Sequence, residues 1–319
     1  MPSTRRTTTS PHSRTHKTRR PHESAHARPA EPRLLVATAG EPESRGALNL
    51  AAALGARDHS DVLVLGVATP FPNNVSTVVS MRRAVSMDEE SRLEVLARVR
   101  HSLEDIPGAN TWTTRAFIGL PADEIQTIAR RWGASLILLG LGRHNRMDRI
   151  FGTETAIAVM RHARIPVLAV HPSASVLPTL ALAAIDFTPA SMAAADAAAA
   201  LLGTDATLIV AHVSAFRSNE SRPGGLVEMY RAGAKAKLED AVRTLERGAR
   251  CAIESVLLDG EPGKALVAHA RDRQCDLIAL GGHEMGLVDR ILLGSVRTRV
   301  VRDAPCSVLI APPDRAGAA

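Results

Sequence analysis

The stretch from Leu277 to Ser295, LIALGGHEMGLVDRILLGS, holds the residue types and spacing in this chain best suited to chemistry. An apolar run ends at Gly281 and Gly282. His283 follows, and Gly294 and Ser295 open an amphipathic stretch that continues with Val296. Glycine lets a backbone approach a ligand closely, unpaired amides at a helix start point at an anion, and a hydroxyl adds a donor. Together they describe an anion cradle. Asp186 directly follows a second apolar run, residues 180–185, where its carboxylate can accept hydrogen bonds from a base or a ribose. In open α/β sheets ligands sit beyond the carboxyl ends of strands, where strand order reverses. Both features therefore need a strand that ends on them.

The chain supplies such strands. From Pro32 onward, short runs rich in Val, Ile and Leu (34–38, 62–67, 112–118, 136–140 and 167–171) alternate with amphipathic stretches at 44–54, 87–103, 121–132 and 153–162. In the second of these, Leu93, Leu96, Val99 and Leu103 fall at helical spacing with charges between them. Continuous apolar strands separated by helices predict a parallel sheet covered on both faces, and right-handed crossovers make it doubly wound. The order recurs, with strands at 180–185, 206–213, 252–257, 277–281 and 307–311 and helices at 189–202, 226–247, 263–273 and 295–303. The alanine-rich tract 193–200, after Pro189, is a strong helix former that allows close packing on the sheet. Segments 69–86 and 214–225 read equally as surface loops or as lids over the strand ends.

The recurrence reaches individual residues. Leu136 to Gly140 matches Leu277 to Gly281, Asp148-Arg149-Ile150 matches Asp289-Arg290-Ile291, and Arg161 with Val167-Leu168 matches Arg302 with Val308-Leu309, all at an offset of 141. Agreement at one offset in separate places marks a duplication. The expected organisation is a disordered basic leader over 1–31, a first α/β domain over 32–172 and a second over 178–313. The linker, 171–178, is short and carries two prolines, which should hold the halves close together.

Composition narrows the function classes. The 319 residues are 45% hydrophobic and 23% charged, as in ordinary soluble proteins, and no apolar stretch is long enough to span a bilayer. The formal charge of +6 belongs wholly to residues 1–30, which hold seven Lys/Arg and one acid, Glu23; the rest holds 32 bases and 32 acids. The body therefore has no bias toward phosphate backbones, and 3% aromatics offer no base-stacking platform. Nucleic acid could be met only through the leader, whose plainer reading is a floppy segment or a mis-assigned start. Its twin arginines precede no apolar h-region, so a cytoplasmic location is expected. Cys251, Cys275 and Cys306 form no CxxC pair, which argues against a disulfide framework or a zinc site, and Cys306 reads as a small buried apolar residue. There is no Walker A sequence, HExxH or GxGxxG, and no GxSxG elbow surrounds Ser295. No catalytic residue is assigned.

In combination the motifs resemble the universal stress protein family. Its domains carry Gly-x2-Gly-x9-Gly-Ser/Thr after the fourth strand and an Asp after the first. The ending VRDAPCSVL, 301–309, and the turn Asp259-Gly260-Glu261-Pro262 also resemble that family. The resemblance covers about 33–171 and 180–312. It implies two tandem doubly wound α/β domains, each with a five-stranded parallel sheet of the adenine-nucleotide α-hydrolase type, paired as an internal pseudo-dimer, with homo-oligomers beyond it. In one subset it implies ATP binding, with Mg2+ accompanying ATP. Carried over, the nucleotide would be bound by Asp186, Val213, Gly281, Gly282, His283, Gly294, Ser295 and Val296, with its phosphates at Gly281, Gly294 and Ser295 and the nucleoside near Asp186 and Val213. His212, beside Val213, reads better as a packing histidine.

Departures divide the two copies. In the second, Glu284 replaces the motif's second glycine and would repel a phosphate by roughly 1–4 kcal/mol at about 4 Å. In the first, Ala39 stands where Asp186 stands, Arg143 replaces the second glycine, Asn145 the next loop glycine, and Gly152-Thr153 arrives one residue early. Arg143, His144, Arg146 and Arg149 make that loop basic, but a solvated loop on a copy without ligand is the plainer reading. Two functions stand open: a regulatory protein with weak adenine-nucleotide binding in the second copy, or an interaction module without a small ligand. An enzyme of nucleotide hydrolysis lacks a general base and a metal-ligand cluster.

Overall fold

The computed structural model describes residues 31–70, 78–142, 153–214, 225–282 and 295–313. The first half runs β1 (Arg33–Ala37), α1 (Arg45–Asp58), β2 (Asp61–Ala68), α2 (Val78–Ser102), β3 (Thr113–Ile118), α3 (Pro121–Trp132), β4 (Leu136–Gly140), α4 (Thr153–His162) and β5 (Val167–Val170). The second runs β6 (Leu180–Ala184), α5 (Pro189–Leu201), β7 (Thr207–Ser214), α6 (Leu226–Leu245), β8 (Ala252–Asp259), α7 (Pro262–Asp272), β9 (Leu277–Gly281), α8 (Ser295–Asp303) and β10 (Ser307–Ala311).

Helix ends follow local chemistry. Pro121 opens α3, Asp123 and Glu124 sit in its first turn against the helix dipole, and Gly133 ends it at φ 72°. Glu261 caps α7 by accepting from the amides of Gly263 and Lys264 at 3.0 and 3.1 Å. Helix α2 starts at Val78, nine residues before the expected 87, because nothing between Val78 and Ser86 is a glycine or proline that would break it. The expected loop 69–86 is thus helical from Val78 onward. Residues 71–77 and 215–224, the rest of the two expected lids, lie outside the described residues, as do the leader to residue 30 and the tail 314–319.

Both halves enter one ten-stranded sheet in the order β3-β2-β1-β4-β5-β10-β9-β6-β7-β8. Each half contributes five parallel strands, and the halves meet where β5 and β10 pair antiparallel, Leu168 opposite Leu309. Each face of the sheet carries an apolar cluster that runs unbroken through this joint. Val167, Ala169, Val308 and Ile310 lie in one, Leu168, Val170 and Leu309 in the other. His171, expected in the fifth strand, instead opens the linker, and its amide donates to the buried Ser307 hydroxyl at 3.1 Å. Asp276 Oδ2 ties the far end of the linker by accepting from the Thr179 amide, the Thr179 hydroxyl and the Leu180 amide at 2.8, 2.8 and 3.0 Å.

Cys275 and Cys306 are buried just before β9 and β10. Burial pushes the Cys306 thiol up to about 12 and the Cys275 thiol to about 11. Thiols of the unfolded chain ionise near 8.5, so the folded state holds these protons longer. Their stabilising contribution is complete below about pH 8.5 and is lost as pH rises toward the folded values. Unfolding free energies from urea titrations should fall between pH 8 and 10 for the wild type by roughly 1–2 kcal/mol per thiol more than for a Cys275→Ala/Cys306→Ala variant. Parallel curves for the two proteins would contradict this account.

Candidate functional site

In the second half β6 and β9 are neighbours, and the helices that follow them, α5 and α8, cover opposite faces. The crevice between their carboxyl ends is the reversal point of strand order. In the first half β1 and β4 form the same crevice.

Asp186 sits at the mouth, one residue past Ile185, whose amide still bonds Ala211. Its Oδ1 accepts from the Thr188 amide at 3.1 Å and the Thr188 hydroxyl at 2.5 Å. Thr188 in turn caps α5, its Oγ1 accepting from the Ser191 amide at 3.3 Å. The carboxylate therefore shapes the turn into α5 as well as facing solvent. Between them Phe187 has φ 66°, a left-handed conformation that costs on the order of 1–3 kcal/mol for a bulky residue. Its ring lies 4.5 Å from that of His212, and the Lys237 ammonium of α6 lies 5.7 Å from its centroid. His212 Nδ1 is 2.7 Å from the Ile185 carbonyl, so this nitrogen carries the proton. The expected packing role of His212 is what the structure shows. Val213 is half-buried against the cluster on the α7 side.

Gly281 ends β9 in close contact with protein rather than open space. A Cβ there would lie 2.6 Å from the Ala190 carbonyl carbon and the Ser191 nitrogen, so the strand end rests directly on the first turn of α5. The alanines of α5 allow this, with Ala190, Ala194, Ala195 and Ala198 all buried. The Gly282 amide goes to the Ala311 carbonyl at 2.6 Å, which removes one expected anion donor. Ser295 opens α8, whose first-turn amides have no partners within the helix. Val296 is half-buried against the core. His283, Glu284 and Gly294 lie outside the described residues.

One residue of this crevice escapes sequence reasoning. Arg297, in the first turn of α8, donates Nε to the Gly281 carbonyl at 2.7 Å. Its guanidinium is thereby held between the strand end and the helix start, where it adds positive charge to a helix dipole of the same sign. The only signal in the sequence was an arginine two places after the motif serine.

The first half keeps the close strand end, with a Cβ on Gly140 meeting the Ser44 backbone at 2.9 Å and the Leu141 amide bonded to the Val170 carbonyl at 2.8 Å, but differs at the turn. Ala39 is buried and offers no side-chain acceptor. Gly40 holds the left-handed position of Phe187, at φ 81°, and a Cβ on it would lie 2.7 Å from the Arg98 backbone of α2. Helix α2 thus closes onto the turn where α6 presents only a side chain. Thr153 donates its hydroxyl to the Gly142 carbonyl at 3.1 Å. Arg143, His144, Asn145, Arg146, Arg149 and Gly152 lie outside the described residues.

Other features lie elsewhere. A cavity of about 300 Å3 sits under the linker, lined by Leu50, His171, Val176, Asp276, Cys306 and Ser307 among others. It borders the amino ends of β9 and β10, the opposite edge from Gly281. Among the described residues no group of three or more His, Cys, Asp or Glu is placed to hold a metal ion, and no helix is long and apolar enough to cross a membrane.

Gly140 and Gly281 end the fourth strand of each half at the same place in a duplicated sheet, and the family model supports the comparison. The model of the universal stress protein family matches residues 32–171 and again 181–312. The chain belongs to the universal stress protein family. It is a tandem member, with two such domains in one chain. It is 30% identical over 131 residues to a universal stress protein of Mycobacterium tuberculosis strain H37Rv, covering 39% of this chain and 90% of that one. It is 39% identical over 57 residues to one from Thermus aquaticus, covering 18% of this chain. The chain spans 42% of the length of that Thermus protein and 34% of a 40% identical relative from Methanocaldococcus jannaschii. Among solved structures it is similar to a universal stress protein from Archaeoglobus fulgidus, with a TM-score of 0.59 at 18% identity, covering 89% of this chain and 97% of that one. That likeness speaks for the fold.

Proposed function

We propose that this tandem universal stress protein acts by binding and regulation, without turnover, and that its second half takes an adenine nucleotide at the crevice between β6 and β9. The observation that carries the reading is the asymmetry of the two crevices. The second keeps Asp186 at one lip and Gly281, Arg297 and the start of α8 at the other, whereas the first has Ala39 and packs the turn at Gly40 against the α2 backbone. The nucleoside end would lie by Asp186 and Val213, and the phosphates at the start of α8. The residues present fit an anion through the α8 amides and Arg297. Among the described residues no group is placed to hold a metal ion, and Mg2+ would arrive with the triphosphate. The first half would serve as a built-in dimer partner.

Calorimetry with ATP, ADP and AMP tests this. Binding is expected in the micromolar to millimolar range, and Asp186→Ala should weaken it about tenfold, roughly 1.4 kcal/mol. No heat with any of the three up to millimolar concentration would overturn it. A ligand-free interaction module is the second reading, favoured by the Gly282 amide already bonded to Ala311 and by Glu284 in the loop.

A further inference from the structure

The offset of the duplication is also the symmetry of the joint. Leu168 faces Leu309 in register, and these residues are 141 apart. An approximate twofold axis passes through that pair, so each contact across the joint has a mirror at positions shifted by 141. Arg302, near the end of α8, donates to Glu154 Oε1 at the start of α4, at 2.8 Å. The mirror contact would join Arg161, near the end of α4, to position 295 at the start of α8. That position is serine.

The two joints therefore differ by one carboxylate. In the first half Glu154 places a built-in anion at the start of the last helix, where the helix dipole favours negative charge, and an arginine from the other half meets it. In the second half the arginine is present and the anion is missing. Arg161 shows the consequence. Its Nε is shut off from solvent and has no hydrogen-bond partner, although α4 and α8 pack on one another. Arg161 as a whole is only partly buried, and a guanidinium with an unpartnered donor favours a group that can accept from it.

We propose that Arg161 of the first half completes the anion site of the second. A phosphate group at the first turn of α8 takes the place that Glu154 holds in the mirror, accepting from Arg161 across the joint and from the α8 amides, with Arg297 on the strand side. The identity of the anion as a nucleotide phosphate rests on the reading above; its charge does not. The arrangement also answers Glu284, because the compensating cations come from outside the loop. On this account the first copy is more than a dimer partner.

The test uses the full chain as wild type, Arg161→Ala, Arg161→Lys and Arg302→Ala, titrated with ATP, AMP and inorganic pyrophosphate, with melting curves recorded without ligand. Arg161→Ala should weaken ATP and pyrophosphate at least tenfold, about 1.4 kcal/mol, and AMP less. Arg161→Lys should fall between, and Arg302→Ala should bind as the wild type does. Without ligand, Arg161→Ala should melt no lower than the wild type, since the buried Nε it removes has no hydrogen-bond partner. Equal ATP and pyrophosphate binding by wild type and Arg161→Ala, or equal weakening by Arg161→Ala and Arg302→Ala, overturns this inference and leaves the nucleotide reading standing. Pyrophosphate bound through Arg161 with no nucleotide bound sustains the inference and removes the nucleotide reading. A wild type that binds no anion overturns both.

Discussion

Gly281→Val should destabilise the second half by about 3 kcal/mol or more, and Gly281→Ala by about 1–3 kcal/mol. The space a Cβ would need is filled by backbone, the Ala190 carbonyl carbon and the Ser191 nitrogen at 2.6 Å and the Ala190 oxygen at 2.8 Å. Backbone cannot swing aside as the end of a lysine can. Either β9 or the first turn of α5 must shift, and the α5 turn is held by Thr188 and Asp186. The same shift would separate the two lips of the crevice, so a fall in stability should come with a fall in nucleotide affinity. Gly282→Ala is the internal control. Its nearest neighbours stand at 3.1 to 3.4 Å, so its cost should be smaller, about 1 kcal/mol. Urea denaturation of the three variants checks the order. Equal midpoints for wild type and Gly281→Val would refute the packing role.

The second large effect lies at the joint. Leu309 is fully buried and faces Leu168, which is buried too. Leu309→Ala should cost about 2–5 kcal/mol from lost burial and the cavity left behind. Leu309→Asp should cost more, since an unpaired carboxylate would enter the apolar cluster on that face. The form of the transition is the sharper readout. With clusters continuous through the joint on both faces, the wild type should unfold in one cooperative step. Leu309→Asp should split this into two steps, as the halves lose their shared core. A single unshifted transition in Leu309→Asp would mean that the joint contributes little.

Much of the scaffold was legible because its signals are local. Apolar runs of strand length, helical spacing of leucines and caps such as Pro189 and Pro121 depend on residues a few places apart. Helices α3, α4 and α8 and strands β4, β9 and β10 have the bounds the sequence predicts. Boundaries slipped where the local signal was weak. Helix α2 begins early because no breaker stands between Val78 and Ser86, and β5 stops at Val170 because the His171 amide turns to Ser307. Asp186 was found because it follows a strand run directly. Arg297 was missed because nothing in its neighbours shows that its side chain turns back to a carbonyl 16 residues earlier.

By itself the sequence determined the duplication, the alternation of strands and helices, the confinement of the excess charge to residues 1–30, and the alanine at position 39 where the second copy has Asp186. Each follows from residue type at a fixed local spacing. The tertiary structure alone decided that the two copies share one sheet through β5 and β10. It decided that Gly281 is required by α5, and that Arg302 meets the Glu154 carboxylate across the joint while the Arg161 Nε has no hydrogen-bond partner. Those outcomes depend on groups more than a hundred residues apart, or on atoms of the backbone. Which of them meet is set by how whole layers pack.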